Sequence, residues 1–197
     1  MVETILEAAR QIFAEHGFEA ATTNQIAERA GISIGSLYQY FPNKDSLILE
    51  IQRMHHDELL ALIRSAMDKS GKLPLREAVR SIIGANLDMH LSEARLHGAF
   101  EEWIPAQTQL VDRERFQQEM VGLINGFLDS RPELPKGQAA KSAVFVIMNL
   151  VKSVMHAAVS DAKAAENREQ ILDHVVDGIL ACLQPLPENA TPPRPHH

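Results

Sequence analysis

The chain has 197 residues, 45% apolar and only 5% aromatic, with a net charge of −7 and one cysteine. That length suits one large core or a small head on a larger body, and the wealth of Ala, Leu, Ile and Met favours helices over a sheet rich in Tyr, Thr and Val. Cys182 alone excludes an intramolecular disulfide, and the start of the chain has Glu3 and Glu7 where a signal peptide would be basic, so a cytoplasmic protein without cofactor is expected.

Residues 4–16 read as a first helix: Thr4 and Glu7 have the spacing of a capping box, Ile5, Ala9, Ile12 and Phe13 repeat at helical spacing, and Gly17 stops the run. A short second helix opens at Thr22 or Thr23, carries Ile26, Ala27 and Ala30 on one face, and ends at Gly31. Ser33 caps a third, whose Leu37 and Phe41 face one core, and Pro42 closes it. Asn43 caps a long fourth helix with the stripe Leu47, Ile48, Ile51, His55, Leu62, Ile63 and Ala66, running to about Lys69 before Gly71 and Pro74. Further helices are expected at about 75–91, 93–103, 107–129, 137–161 and 167–184, separated by a soft break at Leu91–Ser92, Pro105, Pro132 with Pro135, and the polar stretch 161–167. The longest apolar stretch, 143–159, is interrupted by Asn149, Lys152, Ser153 and His156, short of the roughly 20 residues of a bilayer helix, so no membrane partner is expected. The division is a helix-turn-helix head at 1–45, a helical body at 46–184 and a proline-rich, disordered tail at 185–197, all within an all-α fold.

Two short helices joined by a tight Gly turn, the second with its own cap, form the plan that sets a recognition helix into the DNA major groove. Residues 1–50 hold three basic and seven acidic side chains, so the case for DNA rests on geometry rather than on a basic field. The string Thr23-Asn-Gln-Ile-Ala-Glu-Arg-Ala-Gly-Ile-Ser-Ile-Gly-Ser-Leu-Tyr-Gln-Tyr-Phe-Pro-Asn-Lys-Asp-Ser-Leu47 resembles the signature of TetR-type transcriptional regulators almost position for position. The resemblance covers residues 4–60; beyond them only the helical layout is shared. It implies a homodimer on double-stranded operator DNA and a small-molecule inducer in the body. It also implies a phosphate contact for Thr23, groove-facing roles for Ser33, Ile34, Gly35, Ser36, Tyr38 and Gln39, and phosphate clamps at Tyr40 and Lys44. The chemistry agrees: hydroxyls donate to phosphates, Gly35 allows close approach, Ile34 can touch a thymine methyl, and Gln39 can read an adenine edge. The basic arm that many members carry ahead of the first helix has no counterpart in Met1-Val2-Glu3.

Gly31-Ile-Ser33-Ile-Gly35 also fits the G-x-S-x-G of a serine-hydrolase elbow, which would need a strand before the serine where a helical pattern stands. His97 and Glu101, one turn apart, read as a surface ion pair, and no zinc spacing is evident, so no metal is expected. Asn149, Lys152, Ser153 and His156 form one polar stripe, a solvent face or in part the wall of a ligand site with Asn86, His90, Phe100, Trp103, Met120, Ile124 and Phe127. These largely apolar walls suit a hydrophobic or amphipathic ligand. Val144, Ile147, Val151 and Val154, with Ile171, Leu172, Val175, Val176, Ile179 and Leu183, form two stripes expected to pair between chains as a four-helix interface. The expected function is ligand-controlled repression, with a constitutive DNA-binding protein whose body only dimerises as the alternative.

Overall fold

The computed structural model describes the backbone of residues 1–103 and 110–184, and side chains outside 101–111 within that range. Among the described residues nine helices and no strand are present: α1 Val2–Ala20, α2 Thr23–Arg29, α3 Ile34–Tyr40, α4 Lys44–Ser70, α5 Leu75–Ser92, α6 Ala94–Trp103, α7 Leu110–Asp129, α8 Gly137–Ser160 and α9 Arg168–Cys182. Trp103 as a ligand wall, the break at Pro105 and the disordered tail lie outside what is described.

The head follows its local signals. Helix α1 begins at Val2 without a side-chain cap, so Thr4 lies inside it and the expected capping box does not form. At Gly17 (φ 75, ψ 170) the backbone leaves helical geometry in a region that L side chains rarely adopt, which swings Phe18 into the core, 5.6 Å from the Phe13 ring. Thr22 caps α2 in a full capping box with Gln25. Gly31 (φ 68) turns the chain toward Ser33, whose hydroxyl accepts from Ser36 N, and Asn43 caps α4 in the same way through Ser46.

Ile5, Ile12, Phe13, Ile26, Leu37, Leu47, Ile48 and Ile51 form the head core. It reaches beyond the expected boundary at 45, because Ile48 and Ile51 belong to it and because α6 lays Leu96, Ala99 and Phe100 on it. Phe100 is thus part of the head's packing rather than a free ligand wall. The body core joins Val79, Ile83 and Leu87 of α5 to Leu172, Val175, Val176 and Ile179 of α9 and to Val144 and Ile147 of α8. A third cluster links α4, α5 and α7 through Leu59, Ile63, Ala66 and Ile82, with Phe116, Met120, Leu123 and Phe127 half-buried against it.

This packing corrects the expected dimer stripes. Val144, Ile147, Leu172, Val175, Val176, Ile179 and Leu183 are each at most 7% exposed, and Val151, Val154 and Ile171 pack against them, so they have little surface to offer a second chain. What α8 turns outward is Phe145 (70% exposed) and Val146 (47%), together with Asn149, Lys152, Ser153 and His156. Helix α8 is long and apolar enough by composition to cross a membrane, but its inner face is part of the body core.

Candidate nucleic-acid interface and its coupling to the body

Helix α3 stands on a single buried foot. Leu37 is fully buried, while Ser33, Ile34, Gly35, Tyr38, Gln39 and Tyr40 are exposed and Ser36 is half-buried. Among the described residues, three of the large apolar side chains left exposed, Ile34, Tyr38 and Tyr40, share this one short helix. From Ala30 to Asn43 there is no acidic or basic side chain, so the face carries no charge to repel a phosphate backbone despite the acidic balance of the head. Thr23 Oγ1 lies 3.0 Å from the Tyr38 hydroxyl, which ties the start of α2 to α3. On the far side of α2, Arg29 forks onto the Glu15 carboxylate at 2.7 and 2.9 Å, holding that carboxyl below its usual range and fixing α2 to α1.

Lys44 is placed differently from the expected phosphate clamp. Its ammonium donates to the carbonyls of Phe18 (2.6 Å), Glu19 (3.2 Å) and Ala21 (3.1 Å) and sits 4.2 Å above the Phe18 ring. These carbonyls end α1 and would otherwise lack partners, and an ammonium has only three protons to give. Lys44→Met should therefore cost about 1.5–3 kcal/mol in denaturant unfolding while leaving the salt slope of DNA binding unchanged. A slope smaller by about 0.9 would return Lys44 to the phosphates.

Ser33 follows helix α2 rather than a strand, and its hydroxyl is engaged with Ser36 N and Oγ. This is not the geometry of a nucleophile elbow.

The joint between head and body is polar and layered. Arg10 of α1 donates to Glu58 of α4 (3.1 Å) and to Glu93, between α5 and α6, at 2.5 Å. The second oxygen of Glu93 accepts from His55 Nδ1 at 2.9 Å, and this bond together with Arg10 holds the Glu93 carboxyl below its usual range. Below it, His56 meets Asp112 at 2.7 Å and stacks on Phe116, while Arg115 reaches Asp57 at 2.8 Å, which locks α7 to α4.

The expected ligand-site residues do not converge on one place. Asn86 and His90 are buried on α5, with the His90 ring beside His55 and His97, and His156 of α8, though exposed, lies near enough to act electrostatically on His90 and His97. Met120 and Phe127 line the α4–α5–α7 cluster, Ile124 packs on the body core, and Asn149 is exposed on α8. His97 is only 9% exposed and so is not a surface side chain as expected, and the Glu101 side chain lies outside what is described. His55, Glu93 and Arg10 went unmarked as site residues in the sequence. Their one signal is a histidine at a core position of α4.

A short recognition-type helix on a capped glycine turn, carried by a long helix into a larger helical body, defines a helix-turn-helix DNA-binding regulator. Residues 5–51 match the family of bacterial regulatory proteins of the tetR family, and residues 74–183 match the tetracyclin repressor-like C-terminal domain. The chain belongs to the TetR family and is a transcriptional regulator. It is 28% identical to the repressor LfrR of Mycolicibacterium smegmatis over 184 residues, 93% of this chain and 90% of LfrR. Its fold is similar to that of SmeT, the repressor of a multidrug efflux pump of Stenotrophomonas maltophilia (TM-score 0.70, 21% identity, 99% of this chain and 98% of SmeT). It is also similar to FadR of Bacillus subtilis in complex with stearoyl-CoA (TM-score 0.69, 18% identity, 90% of this chain and 99% of that one).

Proposed function

We propose that the chain acts in the cytoplasm as a homodimeric repressor that holds operator DNA through α3 and releases it when a hydrophobic or amphipathic small molecule enters the body. The observation that carries the DNA half is α3 itself: an uncharged face with Ile34, Tyr38, Gln39 and Tyr40 exposed around the buried Leu37. Tyr38, Tyr40 and Thr23 supply hydroxyls for phosphates, and Gln39 supplies the paired donor and acceptor that suit an adenine edge.

The ligand half rests on the third cluster. Phe116, Met120, Leu123 and Phe127 are only half-buried against α4, so an apolar ligand gains burial there without displacing a tight core. The same α4 carries the head. Its 27 residues span roughly 40 Å at 1.5 Å per residue, so a small tilt beside α7 becomes a displacement beside the DNA. The stearoyl-CoA bound by FadR, a structural neighbour, gives one amphipathic probe with which to begin.

The test is a thermal-shift screen of acyl-CoA thioesters and hydrophobic cations, followed by operator binding with each hit. A compound that raises the melting temperature should lower operator affinity about 5- to 150-fold, as reciprocal coupling requires. Hits that stabilise the chain and leave operator affinity unchanged would contradict ligand-controlled release.

A further inference from the structure

Three histidines from three helices meet beneath the head. His55 of α4, His90 of α5 and His97 of α6 are 3%, 7% and 9% exposed. One ring nitrogen from each lies within 4.8 Å of the other two. The His97 ring is 4.5 Å from that of His55, nearly perpendicular to it, and 4.6 Å from that of His90, nearly parallel.

Hydrogen bonds fix which nitrogens are available. His90 Nδ1 is 3.0 Å from the Asn86 carbonyl oxygen, which can only accept, so the His90 proton sits on Nδ1 and Nε2 keeps its lone pair. His55 Nδ1 is 2.9 Å from the Glu93 carboxylate, which also holds Arg10, so Nδ1 is engaged and Nε2 is the nitrogen left outside that bond. His97 Nε2 is buried with no hydrogen-bond partner among the described residues, and so is Asn86 Oδ1 nearby. Leaving a buried polar atom unpaired costs about 1–3 kcal/mol, which an ordinary core histidine avoids.

We propose that His55, His90 and His97 form a binding site for a divalent transition-metal ion of the zinc class. Neutral imidazoles with a carboxylate or a backbone carbonyl behind them are the pattern in which histidines ligate such ions, the bond on one nitrogen raising the basicity of the other. Burial supplies the neutral form: it pushes His90 down to about 4 and His97 down to about 3. At metal–nitrogen distances of about 2.0–2.1 Å the three nitrogens would stand roughly 3.3–3.4 Å apart, so the rings need only close inward by an ångström or so. A fourth position remains for water. The carboxylate behind His55 is the one that holds Arg10 of α1, so an ion here would brace α4, α5 and α6 against the head.

Metal binding can be measured without DNA, so its outcome is separate from that of the regulator function. The metal-stripped full-length chain is titrated with Co2+ by visible absorption and with Zn2+ by calorimetry. One ion per chain is expected, with Co2+ d–d bands of nitrogen ligation and a higher melting temperature. His97→Gln and His90→Gln should abolish saturable binding, and Glu93→Gln should weaken it roughly 10- to 100-fold, with helicity by circular dichroism kept in each. His174→Gln and the paired His196→Ala and His197→Ala should bind as the wild type does. Should the histidine variants lose helicity, the Glu93→Gln shift and the wild-type Co2+ spectrum decide. No saturable binding by the wild type, binding retained in a folded His97→Gln, or binding lost with the terminal pair would each overturn the site.

Discussion

Replacing Phe145 and Val146 together with glutamate is expected to give a folded monomer whose operator affinity has fallen about 10²- to 10⁴-fold, the loss that follows when two linked heads become one. The argument starts from α8. It is the most apolar of the long helices, yet only 28% of its most apolar stretch is buried within one chain, and Phe145 and Val146 stand on its outward face, 70% and 47% exposed. Neighbouring large apolar side chains left in solvent mark an association surface, and a twofold axis running past α8 would cover them with their own copies. Charge at these positions costs the monomer little. Charge at Val176 or Ile179 would instead bury an unpaired carboxylate, since those side chains are 0% and 4% exposed, and would unfold the body rather than separate two chains. Sedimentation velocity distinguishes the outcomes: a dimer that survives both glutamates places the interface elsewhere.

The second large effect is expected at Leu37. Its side chain is fully buried and is the one wholly buried residue of α3, so Leu37→Ala should cost about 2–5 kcal/mol in denaturant unfolding. Operator binding should be lost with it, because the exposed Tyr38, Gln39 and Tyr40 keep their direction only while that foot is seated in the head core. Tyr40→Phe, by contrast, removes one hydroxyl from an exposed position and should weaken binding to all sequences alike with no change in unfolding. A Leu37→Ala protein with wild-type operator affinity would mean that α3 is not the reading helix.

The head was legible because its signals are local. Gly31, Ser33 and Asn43 each act within three residues of their position, and the structure has each doing what its type suggests. Lys44 misled for the opposite reason: the carbonyls it serves lie 23 to 26 residues earlier and meet it only once α1 has broken at Gly17. In the body, the polar stripe of α8 through Asn149, Lys152, Ser153 and His156 is exposed, but periodicity could not say whether the apolar stripe opposite packs within the chain or against a second one. The stripe through Val144 and Ile147 packs within the chain, and Phe145 and Val146, one residue along, point outward. The histidine cluster was hidden still deeper. His90 and His97 lie on either side of a helix break and His55 is 35 residues before His90, so only the packing of α4, α5 and α6 brings them together.

The most direct test of DNA reading by paired α3 helices is a binding selection from a randomised duplex library, run with the full-length chain at one fixed salt concentration. The expected result is a twofold-symmetric motif whose half-sites lie about 34–36 Å apart, one turn of DNA, or a multiple of it. Gln39→Ala should relax the preference at one base pair in each half-site. Enrichment of no sequence, or a motif without symmetry that Gln39→Ala leaves unchanged, would contradict it.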